Sequence, residues 1–275
     1  GSYYLALRGM KYSNGVSFTF VRTDGKVAVK KIVGECSLSD GDLMDMGTVR
    51  LAESDFVDPL QKIGTAYISG NDKGVVFWVN PSNPLEGKIV SVWKASKKAF
   101  MKAKDGVESP ATAVGISIKK EDGSENVAKI KETELYKSGN YNWAIDECEK
   151  EADFQDGGWY LPSSSELRLV LGAIHGLSYA DALALSGTPT IELNKTSRDK
   201  FLAAMVTCGE ADESAASESL FVGGMWSSEL ATDGNKALYV QINAPGESGA
   251  AFKAGTNNVT NTSNVRCIKK VSLSY

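Results

Sequence analysis

The order of the predicted elements along this chain indicates an α+β protein. The first fifty or so residues favour short strands, and the clearest pair is a hairpin of Val16–Arg22 and Lys26–Val33 around the Asp24-Gly25 turn. Helical periodicity is confined to the middle of the chain, and the C-terminal part returns to strands separated by polar turns. Helices that are segregated from an antiparallel β tail are typical of α+β domains rather than of parallel βαβ folds.

The length and charge of the chain limit its architecture and its partners. A chain of 275 residues exceeds the usual size of one domain, so we predict a small all-β module over residues 1–52 and a larger domain over residues 60–275. The polar segment Ala52–Leu60 between them favours a linker. A net charge of −4 argues against a nucleic-acid partner, and no apolar run is long enough for a transmembrane helix.

The strands of the larger domain are predicted from apolar runs that end at turn residues. Gly74–Val79 is a continuous apolar run that ends at Asn80-Pro81, which favours a buried strand. A weaker strand is predicted at Thr48–Leu51 in the module. Further strands are predicted at Tyr3–Arg8 in the module, and at Gly87–Val92, Gly223–Ser227, Ala237–Ile242, Ala250–Lys253 and Val265–Val271 in the larger domain.

The most strongly marked helix lies in the middle of the larger domain. Ser163 and Glu166 have the spacing of a capping box, and Leu167–Ile174 then places apolar residues on one face. Gly176 provides a typical C-terminal signal. Two further helices are predicted at Tyr141–Phe154 and at Lys200–Val206, the second capped by Thr196 and Asp199.

Several short motifs resemble one bacterial family. Gly157–Ser163 (GGWYLPS), followed by Glu166 and Leu167, resembles the GGW-LPS--EL signature of the Fibrobacter succinogenes major paralogous domain, a branch of the C-type-lectin-like fold. The run GVVFWV, a cysteine on the first predicted helix, Met225–Glu229 (MWSSE) and Val265–Ile268 (VRCI) resemble further family motifs in the expected order. The family usually has a tyrosine where this chain has Met225.

The resemblance implies a C-type-lectin-like domain with one long-range disulfide. In that fold a cysteine on the first helix commonly pairs with one on the last strand, and Cys148 and Cys267 match those positions. Two buried thiols are the alternative. Cys36 and Cys208 are expected to be free, and Trp159 and Trp226 are expected in the core rather than stacked on a ligand.

The N-terminal strands resemble the last strands of fimbrillin-like sandwiches in Bacteroides-type surface proteins. Together the two resemblances imply an exported protein of the cell surface or outer membrane, whose native precursor could carry a lipid anchor.

Catalytic and metal motifs are weak in this chain. Trp226-Ser227-Ser228 stands where many lectins of this fold have a Trp-Asn-Asp calcium motif, so we expect no metal and no other cofactor. Ser197–Lys200 spells S-x-x-K but lacks the companion motifs of serine acylases, and His175 is the single histidine. We therefore expect no enzyme.

The predicted ligand site lies in two polar segments near the C-terminus, Ser228–Asn235 and Glu247–Asn264. Loops on a rigid scaffold commonly carry binding residues, and relatives of this fold take up ligands in this part of the domain. The alternative is that these Asn and Gly residues only form turns. The candidate residues are Glu229, Asp233, Asn235, Asn257, Asn258 and Asn264, with Tyr239 and Arg266 at the floor of the site.

These observations predict a non-enzymatic binding or adhesion protein that recognises a glycan or a protein. The alternative is a structural subunit of a fimbria-like surface assembly. One further feature is a lysine cluster, which favours a solvated face over a phosphate site. Its members are Lys94, Lys97, Lys98, Lys102 and Lys104.

Overall fold

A computed structural model describes most of the chain. The described residues are 11–13, 16–33, 35–37, 39, 48–107, 121–150, 157–187, 189–192, 194–216, 224–231, 236–242 and 250–274. The predicted strand Tyr3–Arg8 and the candidate site residues Asp233 and Asn235 lie outside this set.

The described residues contain fifteen strands and six α-helices, so the prediction of a mixed α+β protein is confirmed. The strands are β1 Lys11–Tyr12, β2 Val16–Val21, β3 Val27–Val33, β4 Cys36–Ser37, β5 Ala66–Ser69, β6 Asp72–Val79, β7 Glu86–Ala99, β8 Met101–Ala103, β9 Tyr141–Trp143, β10 Trp159–Tyr160, β11 Thr190–Ile191, β12 Gly224–Leu230, β13 Lys236–Ile242, β14 Ala250–Asn258 and β15 Thr262–Ser272. The helices are α1 Gly123–Lys131, α2 Glu134–Lys137, α3 Glu147–Lys150, α4 Ser164–His175, α5 Tyr179–Ala184 and α6 Lys195–Thr207.

One nine-stranded sheet organises the larger part of the protein. Its strands lie in the order β11-β14-β13-β12-β15-β7-β6-β5, and β10 pairs with β15 beside this path. Strand β15 is central, because it is antiparallel to β7 along its length, parallel to β12 at Met225 and Asn264, and antiparallel to β10 near its end. Strand β7, near the beginning of this part of the chain, therefore lies beside β15, which ends it.

Helix α4 has the predicted ends. The Ser163 hydroxyl accepts a hydrogen bond from the Glu166 amide, the Glu166 carboxylate accepts one from the Ser163 amide, and Gly176 ends the helix at φ 68°. The apolar face of α4, including Leu167 and Leu171, is buried against β6, β12 and β13. The capping box and the apolar periodicity thus predict this element correctly.

The predicted caps of α6 are wrong by several residues. The helix begins at Lys195, and the Asn194 side chain accepts a hydrogen bond from the Ser197 amide at 3.1 Å. Asparagine is among the strongest N-cap residues, so the helix starts there, and Thr196 and Asp199 lie within its first turns.

The predicted helix Tyr141–Phe154 is wrong at its start. Tyr141–Trp143 forms β9, which pairs with β8, and a 3-10 turn then leads into the short helix α3. Trp143 is buried edge-on to Phe100, with ring centroids 6.4 Å apart. Pairing with β8 and burial of this ring outweigh the helical spacing, which is a purely local pattern.

The expected linker is folded against the N-terminal hairpin of β2 and β3. Val57 and Val27 exchange two backbone hydrogen bonds, and Lys30 forms an ion pair with Asp55 at 2.8 Å. The segment holds 3-10 turns at Glu53–Asp55 and Pro59–Lys62, while the predicted strand Thr48–Leu51 is irregular. The division into a module and a larger domain stays a prediction.

Strand β7 contains one strained residue. Two residues, Ser96 and Lys97, lie opposite Asn264 alone, because Ala95 pairs with Val265 and Lys98 with Ser263. Lys97 is the one described residue other than glycine with a positive φ, at 53°. A side chain in this left-handed conformation costs roughly 1–2 kcal/mol, so neighbouring contacts must hold this β-bulge in place.

The predicted disulfide is present between Cys148 on α3 and Cys267 on β15. The two Cα atoms are 5.6 Å apart, and 119 positions separate the residues in the sequence. Cys36 and Cys208 are free, as expected. The Cys208 thiol lies 3.2 Å from the Gly74 carbonyl oxygen, and burial raises its pKa.

The disulfide should contribute a large part of the stability. Replacing both Cys148 and Cys267 by alanine should lower the free energy of unfolding by about 3–5 kcal/mol, because the bond closes a long loop in the unfolded chain. Urea denaturation measures this change, and Cys36→Ala is the matched control that should leave the midpoint nearly unchanged. Recovery of Cys148 and Cys267 as free thiols from oxidised protein would contradict the assignment.

The stability should also depend on one buried imidazole. His175 is 1% exposed at the end of α4, and burial, assisted by the charge of Arg198, lowers its pKa to about 4. In the unfolded chain its pKa is about 6.5, so between these values only the unfolded state binds the proton. Above about pH 6.5, His175 is neutral in both states and does not reduce the free energy of unfolding. As the pH falls towards 4, proton binding to the unfolded chain lowers the free energy of unfolding by up to about 3 kcal/mol.

Urea midpoints measured between about pH 5 and 6.5 test this dependence, because most carboxylates remain ionised there. His175→Gln should flatten the slope in this window, whatever its effect on absolute stability. An unchanged slope in the variant would show that another group causes it.

Candidate functional site

The motifs GGWYLPS and MWSSE contact each other where α4 begins. The Ser228 amide donates a hydrogen bond to the Pro162 carbonyl at 2.7 Å. The Glu229 carboxylate accepts two hydrogen bonds from Ser164, one from its amide and one from its hydroxyl, both at 2.8 Å. The MWSSE strand therefore binds the first turn of the helix that follows GGWYLPS, although the two motifs are more than sixty residues apart.

The Glu166 carboxylate is the centre of this junction. It is 2% exposed and accepts hydrogen bonds from the Tyr160 hydroxyl at 3.0 Å and from the Ser163 amide at 2.8 Å. The Gly123 amide donates a third at 3.0 Å, and the Lys88 ammonium group donates a fourth. A buried carboxylate needs partners of this kind, because removal from water is otherwise very unfavourable.

Helix α1 reaches this junction through a glycine. A Cβ atom added at Gly123 would lie 2.5 Å from the Leu161 carbonyl oxygen and 2.8 Å from a Glu166 carboxylate oxygen, so only glycine fits. Three residues further on, the Asn126 side chain donates a hydrogen bond to the Ser228 hydroxyl at 3.0 Å. Strand β10, strand β12 and helices α1 and α4 are thus joined by one polar cluster.

Lysines neutralise two carboxylates of this cluster, those of Glu166 and Asp122. Lys270 lies 2.6 Å from Asp122, whose pKa burial alone would raise, but hydrogen bonds from Lys270 and Ser124 hold it at about 2. Burial, followed by the charges of Glu166 and Asp122, raises the pKa of the Tyr160 hydroxyl. Tyr160 therefore stays protonated and donates to Glu166, which is a structural arrangement rather than an acid–base pair.

Both tryptophans of the motifs are in the core, as expected. Trp226 is fully buried and donates a hydrogen bond from its indole to the Lys98 carbonyl at 2.8 Å. Trp159 is 3% exposed and donates to the Asp72 carboxylate at 3.1 Å. These rings anchor the sheet and are not accessible for stacking on a ligand.

Two of the candidate ligand residues are buried, which corrects the expected exposed loop. Residues Ser228 to Leu230 belong to β12, and Glu229 is 6% exposed because Ser164 covers its carboxylate. Arg266 is 1% exposed, and its guanidinium group donates to the Ser91 and Val92 carbonyls at 2.7 and 3.0 Å. Burial lowers the pKa of Arg266 to about 10.

The other described candidates lie on or near the surface of β13, β14 and β15. Tyr239, Asn257 and Asn264 are half-buried, and Asn258 is exposed. Tyr239 pairs with Gly255 in the register of β13 and β14, and Asn257 lies two residues along the same face. Tyr239 and Asn257 are thus brought together, whereas Asn264 lies on β15 opposite Met225.

Tyr239 owes its position to glycines on both neighbouring strands. A Cβ atom at Gly224 would lie 3.1 Å from one edge of the ring, and one at Gly255 would lie 3.4 Å from the opposite edge. The ring therefore lies across β12, β13 and β14, and Tyr239 as a residue is only partly buried.

Asn257 and Asn258 of β14 differ in their contacts. The Asn257 side-chain carbonyl accepts hydrogen bonds from the Asn258 amide and from the Asn261 side chain, so Asn257 stabilises the turn into β15. This contact favours the turn-forming interpretation for Asn257. Asn258 is exposed at the end of β14, where the alternation of side chains places it on the opposite face of the sheet from Tyr239.

A groove near the end of β7 was indicated only indirectly by the sequence, through its lysines. The groove, of about 480 Å³, is lined by residues at the end of β7, on β8 and β9, on α3 and in the turn into β15. Three members of the predicted lysine cluster, Lys97, Lys98 and Lys102, line it, and Lys150 joins them from α3. The clustering was visible in the sequence, but its convergence with α3 was not.

Within the described ranges, no group of three or more His, Cys, Asp or Glu side chains converges as a metal site. No described helix is long and apolar enough to cross a membrane. Comparisons with protein-family models, with curated proteins and with solved structures find no match to this chain.

The polar junction should be essential for folding. Glu166→Gln should lower the free energy of unfolding by about 3 kcal/mol or more, because Lys88 loses its buried counter-charge and an amide group faces N–H donors. Glu134→Gln removes a carboxylate that is 93% exposed, and should change stability by less than about 0.5 kcal/mol. Equal losses in the two variants, measured by urea denaturation, would contradict a special role for Glu166.

Proposed function

We propose that this chain is a non-enzymatic binding protein of the bacterial cell surface, with a C-type-lectin-like fold and a glycan or protein ligand. The support comes from the ordered motifs, from the disulfide between Cys148 and the last strand, and from the polar junction that ties GGWYLPS to MWSSE. The four hydrogen bonds that the Glu166 carboxylate accepts agree with a structural use of the polar residues in this junction.

The observation that carries the proposal is the position of Tyr239. Its ring lies against glycines of two neighbouring strands, which restricts its position, and Tyr239 as a residue is only partly buried. A rigid aromatic ring supplies contact area at little cost in conformational entropy, and it can stack on a sugar ring or an apolar side chain.

The second candidate function is that of a subunit in a fimbria-like assembly. Strand β5 lies at one edge of the large sheet, and its Ile68 is 56% exposed. An edge strand with an exposed apolar side chain can pair with a strand of another chain.

Arrays of glycans and of surface proteins, probed with the purified chain, test the proposal. For any ligand found, Tyr239→Ala should weaken binding by about tenfold or more, because a central aromatic contact is lost. The control is Tyr179→Ala, since Tyr179 is 53% exposed on α5, away from the β13–β14 face.

Unchanged affinity in Tyr239→Ala, at unchanged melting temperature, would place the site elsewhere. Failure to find any ligand, together with concentration-dependent self-association of the chain, would instead favour the assembly function.

A further inference from the structure

We propose that the groove between the end of β7 and α3 is an anion-binding site, and that its ligand is an acidic saccharide carrying a carboxylate or sulfate group. The groove is separate from the Tyr239 face in its lining residues, so this inference does not rest on the proposed function. Its volume of about 480 Å³ falls within the usual range of small-molecule sites.

The charge of the groove favours an anion. Among the described residues, four lysines line it, namely Lys97, Lys98, Lys102 and Lys150, together with one carboxylate, that of Glu147. These described groups carry a net charge of +3, in a chain whose net charge is −4. Such a local excess within a concave surface concentrates the field and attracts anions.

Two of these lysines remain available for a ligand. Glu147 is shared by Lys98 at 2.8 Å and Lys150 at 3.5 Å, so this carboxylate of the groove is already engaged. Lys97 and Lys102 form no ion pair with any described residue, and both are exposed. An incoming anion would supply a counter-charge to both ammonium groups.

The strained conformation of Lys97 points in the same direction. The β-bulge at Lys97 turns the backbone into a left-handed conformation that glycine adopts without strain, yet the chain has a lysine there. Strained residues and β-bulges recur at binding sites, where they direct a side chain that the fold would otherwise orient differently. The strain is thus explained if the lysine itself is needed at the groove.

The walls of the groove are held rigidly, which suits selective binding. The Trp226 indole holds the Lys98 carbonyl at 2.8 Å, and the Met101 amide donates to the Val259 carbonyl at 3.0 Å. The opposite wall, α3, is tied to β15 by the Cys148 disulfide. Preorganised walls reduce the entropy that is lost on binding.

The neutral side chains of the groove favour a saccharide over a bare ion. Thr260, Thr262 and Asn142 line it beside the lysines, and they offer hydroxyl and amide groups. Such groups hydrogen-bond with the hydroxyl groups of a sugar in either direction. Lysines act as point charges and accept carboxylate, sulfate or phosphate alike, so the sugar ring must supply the selectivity.

Isothermal titration calorimetry at low salt tests the site with two probes, a sulfated uronic-acid disaccharide and inorganic sulfate. The full chain should bind the disaccharide saturably and more tightly than inorganic sulfate, and added salt should weaken binding. The double variant Lys97→Gln with Lys102→Gln should weaken disaccharide binding by about tenfold or more.

The matched control changes two exposed lysines outside the groove, Lys129→Gln with Lys195→Gln, which alters the net charge by the same amount. It should leave the affinity unchanged. A third variant, Lys97→Gly, removes the strain together with the charge, so it should raise the melting temperature or leave it unchanged while binding is weakened.

Three outcomes of these titrations would each contradict a different part of the proposal. Equal weakening in both double variants would show non-specific attraction and overturn the proposed site. Equal affinity for sulfate and disaccharide would overturn the saccharide assignment. No saturable binding of either probe at millimolar concentration would overturn the proposal as a whole.

Discussion

The buried carboxylate of Glu166 determines where the helices of this protein meet its sheet. Four donors converge on it: Lys88 of β7, Gly123 of α1, and Tyr160 and Ser163 of the stretch that leads into α4. Each donor would be poorly satisfied if its segment shifted, and an unpaired charge at this depth would destabilise the fold by several kcal/mol. The GGWYLPS--EL pattern is therefore intelligible as chemistry, because its glutamate, its serine and its tyrosine all contribute to one junction.

Strand β15 provides the second long-range constraint. It lies at the middle of the large sheet, and Cys267 on it is joined to Cys148 on α3. It also carries Arg266, whose buried guanidinium group holds the carbonyls of β7 where the register of the two strands shifts. The polar junction holds β12 against α4, and β13 and β14 pair beyond it, with Tyr239 against Gly224 and Gly255. The disulfide holds α3, one wall of the lysine groove, against β15.

Local patterns predicted the elements that local interactions determine. The capping box and apolar periodicity predicted α4 between Ser163 and Gly176. The predicted C-terminal strands correspond to β12, β13, β14 and β15, of which β14 and β15 are longer than predicted. The disulfide was implied by resemblance and is present. Element types failed where a distant partner decides them, as at Tyr141–Trp143, which pairs with β8 instead of starting a helix.

The candidate site was predicted less well, for a related reason. Glu229 and Arg266 look like surface residues in a polar sequence, but partners far along the chain, Ser164 and the carbonyls of β7, bury and satisfy them. Tyr239 and Asn258 retain exposure. The lysine cluster had no companion motif in the sequence, because α3 and the turn into β15 complete the groove only after folding.

The buried carboxylates of Glu166 and Glu229 hold the first turns of α1 and α4 in place. Amides at the start of a helix have no partner within the helix and ordinarily exchange quickly with solvent. Those of Gly123, Ser163 and Ser164 donate to these two carboxylates instead. Native-state hydrogen exchange followed by NMR should show these three amides protected to nearly the same free energy as the core strands, whereas fast exchange at these positions would contradict the account.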